Sequence, residues 1–498
     1  MIYEHIEGLI HRAIRIGLIK KIDRIYVRNQ IMHKLRLDSF PENTVPYPNE
    51  TIPDLLDKIV DYAVKNQVID DVLDEKEQLN ADIMNCLMPL PSAVNDAFWQ
   101  KYDMSPQAAT DYFYQLSKNS NYIQTKRIEK NIHFKTKTEY GEMDITINLS
   151  KPEKDPEQLR RERANKQSVN YPKCVLCIEN EGYAGRTGHP PRANHRVIRV
   201  PLSEENWCLQ YSPYVYYNEH SILFAEEHRD MRIDRQAFEQ LLEFTDKFPH
   251  YFMGSNADLP VVGGSILAHD HYQGGRDRFA MTDAQEEFFF QLDRWNKVSA
   301  SVLKWPLSVI RLKCSDKGEL LDAATHILNT WKGYSDPAAD IEALTGNIPH
   351  NTITPIARIR DGLYELDLVL RNNRTTDEYP LGIFHPHADV HHIKKENIGL
   401  IEVMGLAVLP ARLKNELDDV KQFLLDEKNG ITDSHRSWAE QMRTEYGVQT
   451  DEREADRIIE TELGKKFVQI LEYAGVFKRT PTGETAFKDF IDKLNKKE

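Results

Sequence analysis

Val261-Val262-Gly263-Gly264-Ser265-Ile266-Leu267-Ala268-His269-Asp270-His271-Tyr272-Gln273 joins a short apolar run to two histidines and a glutamine. Side chains of an extended chain repeat every second residue, so a strand over residues 261–273 puts His269, His271 and Gln273 on one face. Two imidazoles and a carboxamide on one strand edge suit a phosphate-handling site better than a core. A neutral imidazole nitrogen can attack phosphorus, and an amide NH2 can donate to a phosphoryl oxygen without adding charge. Gly263 and Gly264 allow close approach of backbone to a ligand. A half-buried strand with merely satisfied histidines is the competing reading; the grouping beside Gly-Gly-Ser favours a site.

Working outward, strand patterns recur at residues 144–149, 197–200, 214–217, 221–225 and 261–267, and again at 307–312, 351–360 and 363–371. Arg360-Asp361-Gly362-Leu363 reads as a tight Asp-Gly hairpin turn. Residues 234–246 and 284–303 read as helices between and after the strands, and the charged run 157–166 as a solvated helix. Residues 2–118 carry apolar side chains at helical spacing, Ile6, Leu9, Ile10, Ala13 and Ile14 among them. The portion from Lys414 onward is charged and helical. In each half, strands lead into an H-x-H tripeptide (His269-Asp270-His271, then His385-Pro386-His387) followed by a helix. That weak repeat suggests one α+β unit duplicated. The expected divisions are a helical region 1–125, a catalytic unit 126–300, a second unit 301–420 and a helical region 421–498.

The chain has 498 residues, 40% hydrophobic and 29% charged, with five cysteines and a net charge of −14. Chains of this length divide into about three domains. Five cysteines do not make a disulfide framework. No run reaches the roughly 18 apolar residues of a membrane helix, and Glu4 and Glu7 stand where a secretion signal wants basic residues. A cytoplasmic protein that touches neither membrane nor nucleic acid is expected, since nucleic-acid surfaces need clustered Lys and Arg. P-loop, nucleophile-elbow and zincin motifs are absent.

Cys174-Val175-Leu176-Cys177 offers two thiolates to one zinc ion, which normally wants four ligands. His228 and His269 are the first choices for the remainder, with His220 and His189 in reserve. A redox pair or two packed thiols are the other readings. The glycine-rich loop 180–188 with Arg186, and Arg192, Arg196 and Arg199 beyond it, can present N–H groups and guanidinium forks to phosphates. His385-Pro386-His387-Ala388-Asp389-Val390-His391-His392 could hold a second metal or be a non-catalytic copy of the first motif. Asp389 stands where the first copy has Gln273, and a carboxylate there repels phosphate.

The segments Ile147-Asn148-Leu149-Ser150-Lys151-Pro152-Glu153-Lys154-Asp155-Pro156, Tyr171-Pro172-Lys173-Cys174 through Arg186, 263–275 and 384–413 resemble the second, Firmicutes-type class of galactose-1-phosphate uridylyltransferases. That family belongs to the histidine-triad superfamily. The resemblance spans essentially the whole chain. It implies an α+β fold of two histidine-triad-like units with helical additions at both ends. It implies exchange of UMP between UDP-glucose and galactose 1-phosphate, with UDP-galactose as product. His271 is then the nucleophile, Gln273 holds the α-phosphate oxygens, Gly264 and Ser265 line the pocket, and Asn256 reaches the nucleotide. Cys174, Cys177, His228 and His269 correspond to a zinc set, and His385 and His387 to a second, structural metal pair. No organic cofactor is implied, and a homodimer is allowed. The better-studied class has H-P-H-x-Q at its catalytic strand; this chain has Asp270 at the middle position. The neighbouring alternatives are a histidine-triad hydrolase or dinucleoside polyphosphate phosphorylase, and a non-catalytic metal- or nucleotide-binding scaffold.

Overall fold

The helical period of the N-terminal sequence becomes seven helices in the computed structural model, which describes residues 1–41, 49–150, 169–264, 266–426 and 430–496. They are α1 (Ile2–Arg15), α2 (Arg24–Lys34), α3 (Ile52–Lys65), α4 (Leu73–Asn85), α5 (Pro91–Tyr102), α6 (Pro106–Asn119) and α7 (Thr125–Ile128). Starts are set locally. Thr51 caps α3 by accepting from Asp54 N, and Ser105 caps α6 by accepting from Ala108 N at 3.0 Å, with Pro106 just inside. Ile6, Leu9, Ile10, Leu55, Leu56 and Ile59 bury one face of α1 and α3 in a common core.

The chain divides into two compact units, and these helices belong to the first: Met1–Lys130, Ser150–Val215 and Glu219–Arg229. Its strands β3 (Ile198–Leu202), β4 (Glu205–Tyr211) and β5 (Ser221–Ala225) form an antiparallel meander. They follow β1 (Ile132–Thr138) and β2 (Gly141–Ile147), which belong to the other unit. Asn95 of α5 bonds the carbonyl of Val197 and the amide of Arg199, and the Tyr211 hydroxyl donates to Thr110 O of α6. Helices and meander are thereby tied together.

The second unit is Asn131–Leu149, Tyr216–Asn218 and Asp230–Glu498. It contains α8 (Arg235–Lys247), β6 (Phe252–Gly254), β7 (His271–Gly275), β8 (Glu286–Phe290), β9 (Ser299–Leu303), β10 (Val309–Cys314), α9 (Lys317–Lys332), the small hairpin β11 (Leu344–Thr345) and β12 (Ile348–Pro349), β13 (Asn351–Arg360) and β14 (Leu363–Asn372). Within it the strand order is β7-β6-β13-β14-β10-β9-β8, antiparallel throughout. Asp361 and Gly362 both have positive φ, at 53° and 76°, as the expected two-residue hairpin turn requires. The chain then runs through α10 (Leu400–Val403), β15 (Leu406–Leu409), α11 (Leu413–Leu424), α12 (Asp433–Tyr446), α13 (Glu452–Ala474) and α14 (Pro481–Lys493). β15 joins β1 and β2 in a second sheet, parallel to β2. Ile398, Leu400, Val403 and Leu406 share a core with Ile356 and Val369 of the large sheet.

The architecture is α+β, as the sequence implied. Four local expectations fail. Residues 284–303 are not a helix but β8 and β9, joined through turns at Trp295 and Val298. Phe288, Phe289 and Phe290 lose rotamer freedom in a helix and fit a pleated surface. Residues 214–217 are irregular, with Val215 at φ 42°. The stretch after the first H-x-H holds strands rather than a helix, so the proposed duplication is not seen at that level. The 261–273 run is treated below. The charged run 157–166 lies outside the described residues. No helix among the described residues is long and apolar enough to cross a membrane.

Candidate active site

Strand β7 begins only at His271. Val261 sits at φ +73°, and Gly263 bridges Ala257, so residues 261–264 fold back on the loop after β6 instead of extending, and residues 266–270 precede the strand. The glycine pair makes this possible: a Cβ on Gly263 would lie 2.3 Å from Ala257 O, and one on Gly264 2.6 Å from Asn256 Nδ2. Hence His271 and Gln273 share a strand face, while His269 precedes the strand, fully buried. Ser265 lies outside the described residues.

His271 is 6% exposed and its Nδ1 lies 2.8 Å from the His269 carbonyl oxygen. A carbonyl only accepts, so Nδ1 carries the proton and Nε2 keeps its lone pair. Burial lowers the His271 pKa to about 4, against a smaller opposing effect of that hydrogen bond. The ring is therefore neutral at physiological pH. Gln273 pairs in register with Gly254 of β6, beside the loop that carries Asn256.

Asn256 is fixed from the far end of the sequence. Its Oδ1 accepts from Leu400 N at 2.8 Å, which leaves Nδ2 turned toward Gly264. The segment holding Leu400 is itself pinned: Arg371 Nη2 donates to Ile398 O at 2.8 Å, Gly399 N donates to Glu402 Oε2 at 3.1 Å, and Lys394 pairs with Glu402 at 3.1 Å. Sequence reasoning missed this strap. The one available signal was Arg371, a cation in the otherwise apolar end of β14. Gly264→Ala should push the Asn256 amide aside while leaving distant packing intact. We expect exchange activity to fall about tenfold, the value of one displaced hydrogen bond, with an unchanged thermal midpoint. Undiminished activity in that variant would remove Asn256 from the site.

In the first unit, Cys174 Sγ and Cys177 Sγ are 3.5 Å apart, and Cys177 Sγ lies 3.1 Å from His228 Nδ1. His269 completes the group: one ligand atom from each of Cys174, Cys177, His228 and His269 lies within 4.8 Å of the others. Tetrahedral zinc with its usual Zn–S and Zn–N bonds separates ligand atoms by about 3.3–3.8 Å, so the donor set fits that ion with small adjustments of its spacing. Burial pushes the Cys177 thiol up to about 11, a cost that a cation in the cluster offsets. The reserve ligand His189 instead bonds Asn180 Oδ1 at 2.8 Å, and His220 is not in the group.

Arg186 lies on the glycine-rich loop, paired to His189 by a β-bridge and donating to Val169 O at 3.2 Å. Arg196 and Arg199 are structural. Arg196 is buried and donates to Pro89 O, Ala193 O and Asn85 Oδ1, and Arg199 pairs with Glu181 at 2.7 Å. Arg192 covers the Tyr122 ring at 5.4 Å.

The second histidine group does not assemble a set of three ligand atoms among the described residues. His385 bonds Pro386 O and Asn397 Oδ1, and the charge of buried Arg371 acts on it. A fixed cation nearby disfavours a metal. His387 bonds Ile383 O and is stacked between Tyr379 and Tyr473, at 4.4 and 4.2 Å. Asp389 accepts from Gln469 and Tyr473.

Comparison with known proteins gives the family. Residues 17–230 match the family model described as galactose-1-phosphate uridyl transferase, N-terminal domain, and residues 243–440 the corresponding C-terminal domain. The chain is 51% identical to galactose-1-phosphate uridylyltransferase 1 of Streptococcus pneumoniae serotype 4, covering 98% of each chain. It is 50% identical to galactose-1-phosphate uridylyltransferase of Clostridium acetobutylicum, covering 99% of this chain and 100% of that one. Among solved structures, yeast Ap4A phosphorylase aligns at 14% identity with a TM-score of 0.34, over 66% of this chain and 90% of that one, a likeness too slight to add to the argument. Half of all positions identical across nearly full length, with both domain models matched in order, means that the chain belongs to the galactose-1-phosphate uridylyltransferase family.

Proposed function

We propose that the chain exchanges UMP between UDP-glucose and galactose 1-phosphate through a uridylyl group carried on His271. The observation that carries this reading is the Nδ1–H···O=C bond from His271 to His269 in a buried setting. It fixes the tautomer, aims the ring, and leaves Nε2 as the nucleophile. Nε2 attacks the α-phosphorus of UDP-glucose; the bond to the β-phosphate oxygen breaks, and glucose 1-phosphate leaves with the electron pair. A phosphate oxygen of galactose 1-phosphate then attacks the same phosphorus, the P–N bond breaks, and the lone pair returns to Nε2. The His269 carbonyl holds the Nδ1 proton throughout and stabilises the positive charge that the ring acquires. No strong general base is required, because the entering phosphate is already anionic. Gln273 and Asn256 add amide donors for phosphoryl oxygens, with Gly264 lining the pocket and Arg186 as a substrate contact; Ser265, assigned to the same pocket by the sequence resemblance, lies outside the described residues. Separating transfer from hydrolysis is a matter of keeping water out. The cytoplasmic setting expected from the sequence goes with this reading.

Cys174, Cys177, His228 and His269 would hold zinc, which supplies a cross-link and fixes His269, the residue whose carbonyl orients the nucleophile. Elemental analysis should find about one zinc per chain, and a strong chelator should lower the thermal midpoint. Zinc-free protein that melts and turns over unchanged would reduce the pair to packed thiols.

The activity itself is tested by mixing the two substrates. UDP-galactose and glucose 1-phosphate should appear in equal amounts, with UMP at trace level. UMP as the main product would make the protein a hydrolase.

A further inference from the structure

The octapeptide 385–392 leaves its last two histidines without a part in the exchange. They border a cavity of about 790 Å3 in the second unit, with Arg412, Trp438 and Lys466 also on its wall. His435 lies behind, fully buried, with Nε2 2.8 Å from Glu416 Oε2. Its ring is edge-on to that of His392 at 5.2 Å.

Three buried polar atoms here have no partner: His392 Nε2, His435 Nδ1 and Trp438 Nε1, the last on a side chain 4% exposed. An indole N–H can only donate, and an imidazole donates from any nitrogen that carries a proton. The two carboxylates of the wall, Asp389 and Glu416, already meet donors. Asp389 Oδ2 receives Gln469 at 2.8 Å and the Tyr473 hydroxyl at 2.9 Å, while Glu416 Oε2 receives both Arg412 and His435. Lys466 finds only the neutral Gln469 Oε1, at 3.1 Å. Burial first, then His435, Lys466 and Arg412, lower the His392 pKa to about 4 against Asp389, so its ring is neutral. Arg412 and Lys466 are matched in number by Asp389 and Glu416 on the wall, and the surplus is of donors: the Trp438 N–H has no acceptor and Lys466 no carboxylate partner among the described residues. Ser434 and Ser437, on the first turns of α12, also line the cavity, where the helix dipole favours an anion.

We propose that this cavity binds an oxyanion of the phosphate class, at a site that shares no residue with the exchange machinery. Such a ligand offers acceptors to Trp438 and Lys466 at once, and to His392 in the tautomer that protonates Nε2. A metal ion would engage the imidazoles and carboxylates but leave the Trp438 N–H and the Lys466 ammonium without an acceptor. The proposal does not depend on His271 being the nucleophile.

The test is calorimetric titration of the full chain with inorganic phosphate against sodium chloride of equal ionic strength, with UMP saturating the nucleotide pocket. Saturable binding is expected. Trp438→Phe keeps an aromatic ring and loses the donor, and should weaken binding about tenfold. Lys466→Gln should weaken it similarly and flatten its salt dependence. Lys466 is partly exposed, whereas Trp438 is buried and Trp438→Phe loses ring volume as well as the donor, so unaltered exchange activity is the check that each variant is folded. Absence of saturable binding overturns the proposal, and so does binding that neither substitution alters. Zinc uptake beyond the first equivalent that His392→Ala removes, with no phosphate binding, would make this a metal site instead.

Discussion

Replacing His271 with alanine should reduce exchange by a factor on the order of 10,000 or more, as expected when a covalent nucleophile is lost. The fold should survive. His271 bonds only to the backbone two residues away, and its strand is held by pairing with β6. Circular dichroism and zinc content should therefore match the parent, which separates a catalytic from a structural loss. His271→Gly opens a space of imidazole shape beside the His269 carbonyl, so added imidazole should restore part of the rate. Turnover well above trace in His271→Ala, without added imidazole, would show that the uridylyl group never rides on this residue.

Gln273→Ala should raise the barrier by about 2–4 kcal/mol, the usual effect of removing one preorganised donor from a developing oxyanion. The side chain stands on the same face of β7 as His271, two residues on. A carboxamide there donates without adding charge and cannot give up a proton. Gln273→His replaces it with a group that can protonate a leaving group or activate water. In that variant the ratio of UMP released to UDP-galactose formed should rise, even if the total rate falls. Measuring both products in the parent and both variants tests this. An unchanged product ratio in Gln273→His would mean that Gln273 does not face the transferring phosphoryl group.

What the sequence made legible follows from the range of the forces involved. The Asp361-Gly362 turn and strands β13 and β14 were readable almost to the residue, because turn chemistry and alternation are local. The CxxC pair with His228 and His269 was readable because metal-binding side chains are scarce and few combinations close a tetrahedral set. The turn at 261–264 was not, because its course depends on Gly263 and Gly264 seating against Ala257 and Asn256. Period-two reading assumes no such contact. The residues 284–303 show the opposite failure, where strand pairing overrode an apparent helical period. The surroundings of His385 and His387, with Arg371 near one and two tyrosine rings on the other, are set by residues distant in the chain. The strap from Lys394 to Glu402 that aims Asn256 lies more than a hundred residues away from it in the chain, beyond any short-range signal.

The most direct test of the covalent mechanism is to incubate the protein with UDP-glucose labelled at the α-phosphate, in the absence of galactose 1-phosphate, and to map the label. The account predicts an acid-labile, alkali-stable label approaching one per chain on the peptide containing His271, released as UDP-galactose when galactose 1-phosphate is added. No label on protein, label on a different residue, or release only as UMP would contradict it.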